Sequence, residues 1–261
     1  MLHVKKLQDG RDMYIAIDIG GTSTRIGLFE SLDVPNYAQV ARFLTYASYE
    51  QQLQSICNSI RENGIENFAG IGISVAARIA EDGRSVVAAP NLPNYVGKPF
   101  AQNLAEVLKC PIRLAHDPVC GLLAEKKFGP MREFDRCAYL TVSTGTGAAI
   151  QLHKGSTTLT SSIEIGHQIL DGNTLVCLCG QVGCLETFTG GRQLELRYGR
   201  SIAQITERGF WENFCDKLAL GLVNLAQLTR IEAVAISGAI VLNNSFLLPM
   251  VQERVDTMLR W

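Results

Sequence analysis

Along residues 13 to 30, MYIAIDIGGTSTRIGLFE, apolar positions run up to a Gly-Gly pair and resume after it, Ile26 and Leu28 alternating with Arg25 and Gly27. A buried strand, a glycine turn and a second strand satisfy that pattern, so a hairpin is predicted. YAQVARFLTY (37 to 46) predicts a third strand. In YEQQLQSICNSIRENG (49 to 64), Leu53, Ile56, Cys57 and Ile60 recur at helical spacing and Gly64 ends the helix. FAGIGISVAARI (68 to 79) is nearly unbroken in its apolarity and reads as a buried strand.

After the polar turn EDGR come a short strand and APNLPNYVGKP, whose three prolines forbid regular structure. FAQNLAEVLKC predicts a helix and PIRLAHD a strand. In the next helix, Asp117 stands at the N-cap and Pro118 at the first helical position. CAYLTVSTGTGAAIQLHKG (137 to 155) then repeats the opening design of strand, glycine turn and strand. That echo suggests two related lobes facing one cleft, with a hinge near residue 130 dividing residues 1–130 from 131–261. Further on, Trp211, Phe214, Cys215, Leu218, Leu222 and Leu225 form one stripe of a long helix. EAVAISGAIVL predicts a buried strand with a glycine turn, and SFLLPMVQERVDTMLRW a final helix bent or started at Pro249.

Composition narrows the class. With 261 residues, 47% of them hydrophobic, the chain can bury a substantial core. A formal net charge of -1, without a dense Lys/Arg block, lacks the electrostatic footprint of a nucleic-acid binder. No run of about 18 apolar residues occurs, so no membrane helix is expected. The first residues, MLHVKKLQDGRDMY, hold no apolar signal segment, and a cytoplasmic location is expected. Five of the eight cysteines, Cys57, Cys110, Cys120, Cys137 and Cys215, stand singly among apolar neighbours, as small buried hydrophobes do.

The other three fall within VCLCGQVGCLE (176 to 186). Cys177, Cys179 and Cys184 offer three thiolates and His167 of EIGHQ an imidazole, the four ligands that tetrahedral zinc prefers. Three reduced cysteines in a loop, or a redox pair, are the other readings. The single-residue gap between Cys177 and Cys179 is awkward for a C-x-x-C couple. A closed four-ligand site leaves no open position, which makes the expected zinc structural. Separately, DIGGTSTR (18 to 25) and STGTG (143 to 147) place small residues and hydroxyls where backbone amides could approach phosphate, and two such turns could grip one polyphosphate.

Taken in order, IAIDIGGTSTRIGL, APNLPNYVGKP, LAHDPVCGLLAEK, LTVSTGTGAAI, EIGHQ, CLCGQVGCLE and AISGAIVL resemble the ROK family of sugar kinases and sugar-sensing repressors, from Tyr14 onward. The resemblance implies a two-lobed actin-like ATPase (ribonuclease H-like) fold with a zinc loop, ATP with magnesium as phosphoryl donor, and a hexose as acceptor. Asp117 resembles the catalytic base, and Asp18 the carboxylate that orients magnesium. Gly20, Gly21 and Thr22, with Thr144, Gly145 and Thr146, resemble the phosphate contacts, and Gly238 and Ala239 the turn against adenosine. Asn91, Glu164, His167 and Glu186 resemble residues that bind the hexose hydroxyls, with Asp117 and His116 beside them. His116 stands where the family usually has asparagine, and SGA where it usually has a run of glycines.

His167 would then serve both zinc and sugar, through its two ring nitrogens. A repressor of this family would need a helix-turn-helix ahead of the first strand, and only about a dozen residues precede Tyr14, so the kinase reading is preferred. A sugar-binding protein without turnover is the alternative. A homodimer is expected from the resemblance. The chain ends at Trp261, where family members usually continue through another strand and helix.

Overall fold

The structure, a computed structural model, describes residues 13–65 and 68–260. The first twelve residues and Trp261, on which the N-terminal reading and the end of the last predicted helix fall, lie outside them. The chain divides into two compact units that part between Cys120 and Gly121.

The first unit contains β1 (Tyr14–Ile19), β2 (Ser23–Phe29), β3 (Ala38–Leu44), α1 (Tyr49–Glu62), β4 (Gly70–Val75), the short β5 (Arg78–Ile79) and β6 (Val86–Ala88), α2 (Phe100–Leu108) and β7 (Ile112–His116). Its main sheet has the order β3-β2-β1-β4-β7. β1, β2 and β3 are antiparallel neighbours, whereas β4 and β7 lie parallel to β1. In β1 the alternation is visible directly: Ile15, Ile17 and Ile19 are buried and Ala16 and Asp18 are exposed. The isoleucines share one core with Ile56 and Ile60 of α1 and with Leu104 of α2. Each fully buried isoleucine contributes about 1.5–3 kcal/mol.

α3 (Asp117–Lys127) crosses the division, ahead of the boundary expected near residue 130. Its later turns pack on residues of the second unit. A Cβ at Gly121 would lie 2.5 Å from the Tyr139 ring, and the Lys126 ammonium donates to the Phe134 carbonyl at 2.8 Å.

The second unit carries β8 (Arg136–Val142), β9 (Thr146–Lys154), β10 (Thr157–Ile163), α4 (Glu186–Thr189), α5 (Gly191–Tyr198), α6 (Arg208–Thr229), β11 (Ala233–Ser237), α7 (Ala239–Asn243) and α8 (Leu247–Met258). Its sheet order is β10-β9-β8-β11, with β8, β9 and β10 antiparallel and β11 parallel to β8. This is the arrangement of the first four strands of unit one. The echo between the two glycine hairpins is therefore an echo of topology.

The predicted stripe of α6 is buried from Trp211 to Leu225 in a separate core with Leu140, Val142 and Val251. Pro249 sits in the first turn of α8, where its missing N–H costs nothing. Within APNLPNYVGKP, expected to be irregular, Pro93–Tyr95 form a 3-10 turn, because proline is tolerated at a first helical position. Two predicted strands also differ. The run from 68 to 79 is broken into β4 and β5, and every residue of β11 is only partly buried. None of the described helices is long and apolar enough to cross a membrane.

Candidate functional site: two carboxylates on one unit, a thiol cluster and a glycine turn on the other

In the first unit, three parallel strands bring their carboxyl ends together. Asp18 of β1 stands in register with Ser74 of β4, and Val75 of β4 with His116 of β7. Such strand ends are where open α/β sheets bind ligands. Although half of the Asp18 side chain is open to solvent, partial desolvation of its carboxyl by the surrounding protein raises it above its usual value. Arg25, directly across on β2 and 3.9 Å away, and a hydrogen bond with Ser74 oppose that rise, and the charge of Asp117 adds to it. Asp117 opens α3, immediately after β7, and its Oδ1 lies 3.1 Å from His116 Nε2. One turn along α3, the Cys120 thiol also meets Ser74, and burial pushes it up to about 11. Ser74 was not singled out from the sequence. Its signal is that it interrupts the apolar GIGISV with one hydroxyl.

The Gly20-Gly21-Thr22 turn joins β1 to β2 and is pinned from one side. The Thr45 hydroxyl donates to the Gly20 carbonyl at 2.8 Å, and the Thr45 amide to that of Thr22 at 3.0 Å. Asn91 packs on the turn, since a Cβ at Gly21 would meet the Asn91 Cβ at 3.3 Å.

In the second unit, His167, Cys177, Cys179 and Cys184 converge, with their ligand atoms all within 4.8 Å of one another. Cys179 Sγ lies 3.7 Å from Cys184 Sγ, and Cys177 Sγ lies 3.9 Å from His167 Nδ1. Ligands about 2.3 Å (sulfur) and 2.0 Å (nitrogen) from a tetrahedral ion stand roughly 3.5–3.8 Å apart, so the donor set fits zinc. All eight cysteines are free thiols. Burial pushes Cys177 and Cys184 up, the latter to about 12 with its neighbouring sulfurs adding to the effect. A bound cation would reverse that resistance to ionisation.

The backbone of the loop allows that convergence. Gly180 and Gly183 take φ of +90° and +92°, which let the backbone double back between ligands. Gln193 and Gln181 donate amide N–H groups to Cys177 Sγ at 3.0 Å and Cys184 Sγ at 3.3 Å, contacts that suit thiolates. Neither glutamine was signalled by spacing.

Glu186 opens α4 two positions after Cys184. Its Oε2 accepts the Thr146 amide hydrogen at 2.7 Å. The Thr146 hydroxyl is in turn paired with Thr189 at 2.8 Å. Thr146 is thus held inside the unit by both polar groups, while Thr144 is exposed at the tip of the turn. The carbonyls of Ser143 and Thr144 accept from the first amides of α5, Gly191 and Arg192, at 2.8 and 2.9 Å.

Four glycines make this packing feasible by leaving no side chain. A Cβ at Gly145 or Gly190 would meet the Glu186 side chain at 2.8 or 2.5 Å. One at Gly166 would lie 2.3 Å from the Thr146 carbonyl oxygen, and one at Gly191 2.8 Å from that of Ser143. Gly238, at φ +101°, rests on the Val142 backbone just before this turn, and Ala239 begins α7. Glu164 is exposed at the entry to the 3-10 turn that carries His167, whose amide bonds to the Glu164 carbonyl at 3.0 Å.

Two like-ordered sheets, a His/Cys₃ cluster and glycine turns after β1 and β8 together define a class, and the profile of the ROK family matches residues 14–260. The chain belongs to the ROK family and has its two-sheet α/β, actin-like ATPase fold. It is 29% identical over 260 residues to the N-acetyl-D-glucosamine kinase of Salmonella typhimurium (strain LT2), covering 87% of this chain and 84% of that protein. Among solved structures it resembles the ROK hexokinase of Thermus thermophilus, with a TM-score of 0.73 and 22% identity over 94% of this chain and 88% of that one. It also resembles a ROK family glucokinase from Streptomyces griseus in complex with glucose and AMPPNP, with a TM-score of 0.74 and 20% identity over 93% and 88%.

Proposed function

We propose that this protein is an ATP-dependent sugar kinase that phosphorylates a hexose hydroxyl. The observation that carries the reading is the pairing of Asp18 and Asp117 at the carboxyl ends of parallel strands. Phosphoryl transfer asks for little covalent help from the protein; it asks for a positioned base and for compensation of phosphate charge. Asp117, half-exposed at a helix N-terminus, suits the base: its carboxylate takes the hydroxyl proton as the sugar oxygen bonds to the γ-phosphorus and the bond to ADP breaks. Asp18, raised by burial and by the Asp117 charge, suits a group that meets magnesium through water, because a divalent cation offsets both effects. Magnesium supplies charge neutralisation of the phosphates when bound.

The exposed Thr144 and the adjoining Gly145, with Gly20, Gly21 and Thr22, would present amides and hydroxyls to phosphate, and Gly238 and Ala239 would border adenosine. Thr146 would act by holding the turn. Asn91, Glu164, His167 and Glu186 would receive the sugar. Zinc on His167 Nδ1, Cys177, Cys179 and Cys184 would fix the backbone from which Glu186 projects, and would leave Nε2 of His167 for a hydroxyl. The names of the relatives support hexoses and N-acetylated hexosamines alike as acceptors.

A coupled ADP-release assay over glucose, mannose, fructose, allose, N-acetylglucosamine and N-acetylmannosamine, with product identification, tests the reading. Turnover of at least one sugar, reduced about 10²- to 10⁴-fold by Asp117→Asn with sugar binding retained, is expected. Binding of sugars with no turnover of any would replace the kinase with a sugar-binding protein. Light scattering tests the accompanying proposal of a homodimer.

A further inference from the structure

We infer that His116 is a positioning residue for Asp117 and not a ligand for the sugar. The inference rests on the kinase reading above. Consecutive residues of a strand point to opposite faces, so the side chains of neighbours do not ordinarily meet. His116 and Asp117 meet because the chain passes from β7 into α3 between them. His116 Nε2 lies 3.1 Å from Asp117 Oδ1, within hydrogen-bond reach, and because a carboxylate can only accept, a bond between them is donated by Nε2–H. Such a bond requires a proton on Nε2.

Exposure divides the pair unequally. The His116 side chain is 18% exposed and that of Asp117 39%. On this assignment the more covered imidazole braces Oδ1, and Oδ2 is the oxygen that takes the hydroxyl proton. An aspartate has two soft side-chain torsions, and a base must lie within hydrogen-bond reach of the proton it takes. Pinning Oδ1 to a ring whose backbone is held in β7 removes much of that freedom. Because the anchor is the preceding residue, the brace moves with the base.

Steady-state kinetics with glucose and N-acetylglucosamine, combined with calorimetric sugar binding, test the assignment on the full chain. His116→Ala should lower kcat about 10- to 100-fold, the scale of a misplacement of about 1 Å, while KM and Kd for sugar stay within about threefold. The amide nitrogen of glutamine reaches about as far as ring Nε2, and that of asparagine only as far as Nδ1. His116→Gln should therefore recover most of the lost rate and His116→Asn should not. A rise of about tenfold in sugar Kd with kcat unchanged, or equal rescue by asparagine, overturns the proposal.

Ring-nitrogen NMR decides independently of turnover. The Nε2–H tautomer in the wild type, giving way to a mixture in Asp117→Ala, supports the brace, and an Nδ1–H tautomer in the wild type refutes it. A wild type that turns over no sugar on the wider panel, yet shows the Nε2–H tautomer, counts against the kinase reading and leaves the contact standing.

Discussion

Replacing Gly166 by alanine tests whether the E-x-G-H turn and the 143–146 turn are fitted to one another. Gly166 is not among the glycines with positive φ, so its backbone would accept a side chain; the space would not. The added Cβ would lie 2.3 Å from the Thr146 carbonyl oxygen and 3.2 Å from the Thr146 Cβ. Ordinary contact between heavy atoms begins near 3.5 Å, which leaves an overlap of about 1 Å. The oxygen belongs to the backbone and cannot rotate away, so one turn must shift. Overpacking of this kind costs about 1–3 kcal/mol. A midpoint of about 2 kcal/mol corresponds to a fall of roughly 4–8 °C in melting temperature for a chain of this size.

The displaced atom adjoins the amide that holds Glu186, so turnover should fall as well, by about 100-fold for a shift of about 1 Å. Calorimetry and the coupled assay measure the two effects, and zinc content shows whether neighbouring His167 still serves the cluster. Gly172→Ala is the control. Gly172 has φ of +72° and open space around it, so alanine there should cost only about 1 kcal/mol of backbone strain and spare turnover. If Gly166→Ala keeps wild-type turnover, or loses no more stability than Gly172→Ala, the two turns are not mutually fitted.

Metal analysis should find one zinc per chain, and Cys179→Ser or chelation should raise KM for sugar more than KM for ATP; equal loss of both through unfolding would make the metal purely a stabiliser. With the metal stripped, a thiol reagent should modify the exposed Cys179 before the buried Cys177 and Cys184, as peptide mapping would show. Asp18→Asn should abolish turnover yet raise the melting temperature slightly near neutral pH, because partial desolvation of this half-exposed side chain, lessened by solvent screening, penalises the ionised carboxylate only in the folded chain. Below the ordinary carboxylate range Asp18 is neutral in both states and the advantage should vanish. It grows between that range and the raised folded value and is constant above. Equal melting temperatures near pH 7 would mean that the half-exposed Arg25 contact cancels the burial cost.

What the sequence made legible was whatever repeats at a fixed period or depends on one residue type. The buried strand ahead of the Gly-Gly pair, the α6 stripe and the His/Cys₃ spacing each report a local rule, and each is present in the fold. β10, TTLTSSI, is not legible because an edge strand with none of its residues fully buried needs no apolar alternation. Ser74, Gln181 and Gln193 were hidden for a different reason. A hydroxyl or amide takes its meaning from the partner that folding brings to it; Asp18 and Cys177 lie far along the chain from Ser74 and Gln193, and Cys184, only three residues from Gln181, meets it because the loop doubles back. Glu186 lay between these cases: its place after the cysteines was plain, but its bond to Thr146, forty residues away, was not.

Glycine in a loop is commonly equated with slack. Around the 143–146 turn it supplies stiffness, because Gly145, Gly166, Gly190 and Gly191 each let main chain or carboxylate seat directly against a neighbour with no cushion between them. Drift in this sequence would then be correlated across positions nearly fifty residues apart: a methyl gained at one would have to be answered by recoil at another, or not tolerated at all.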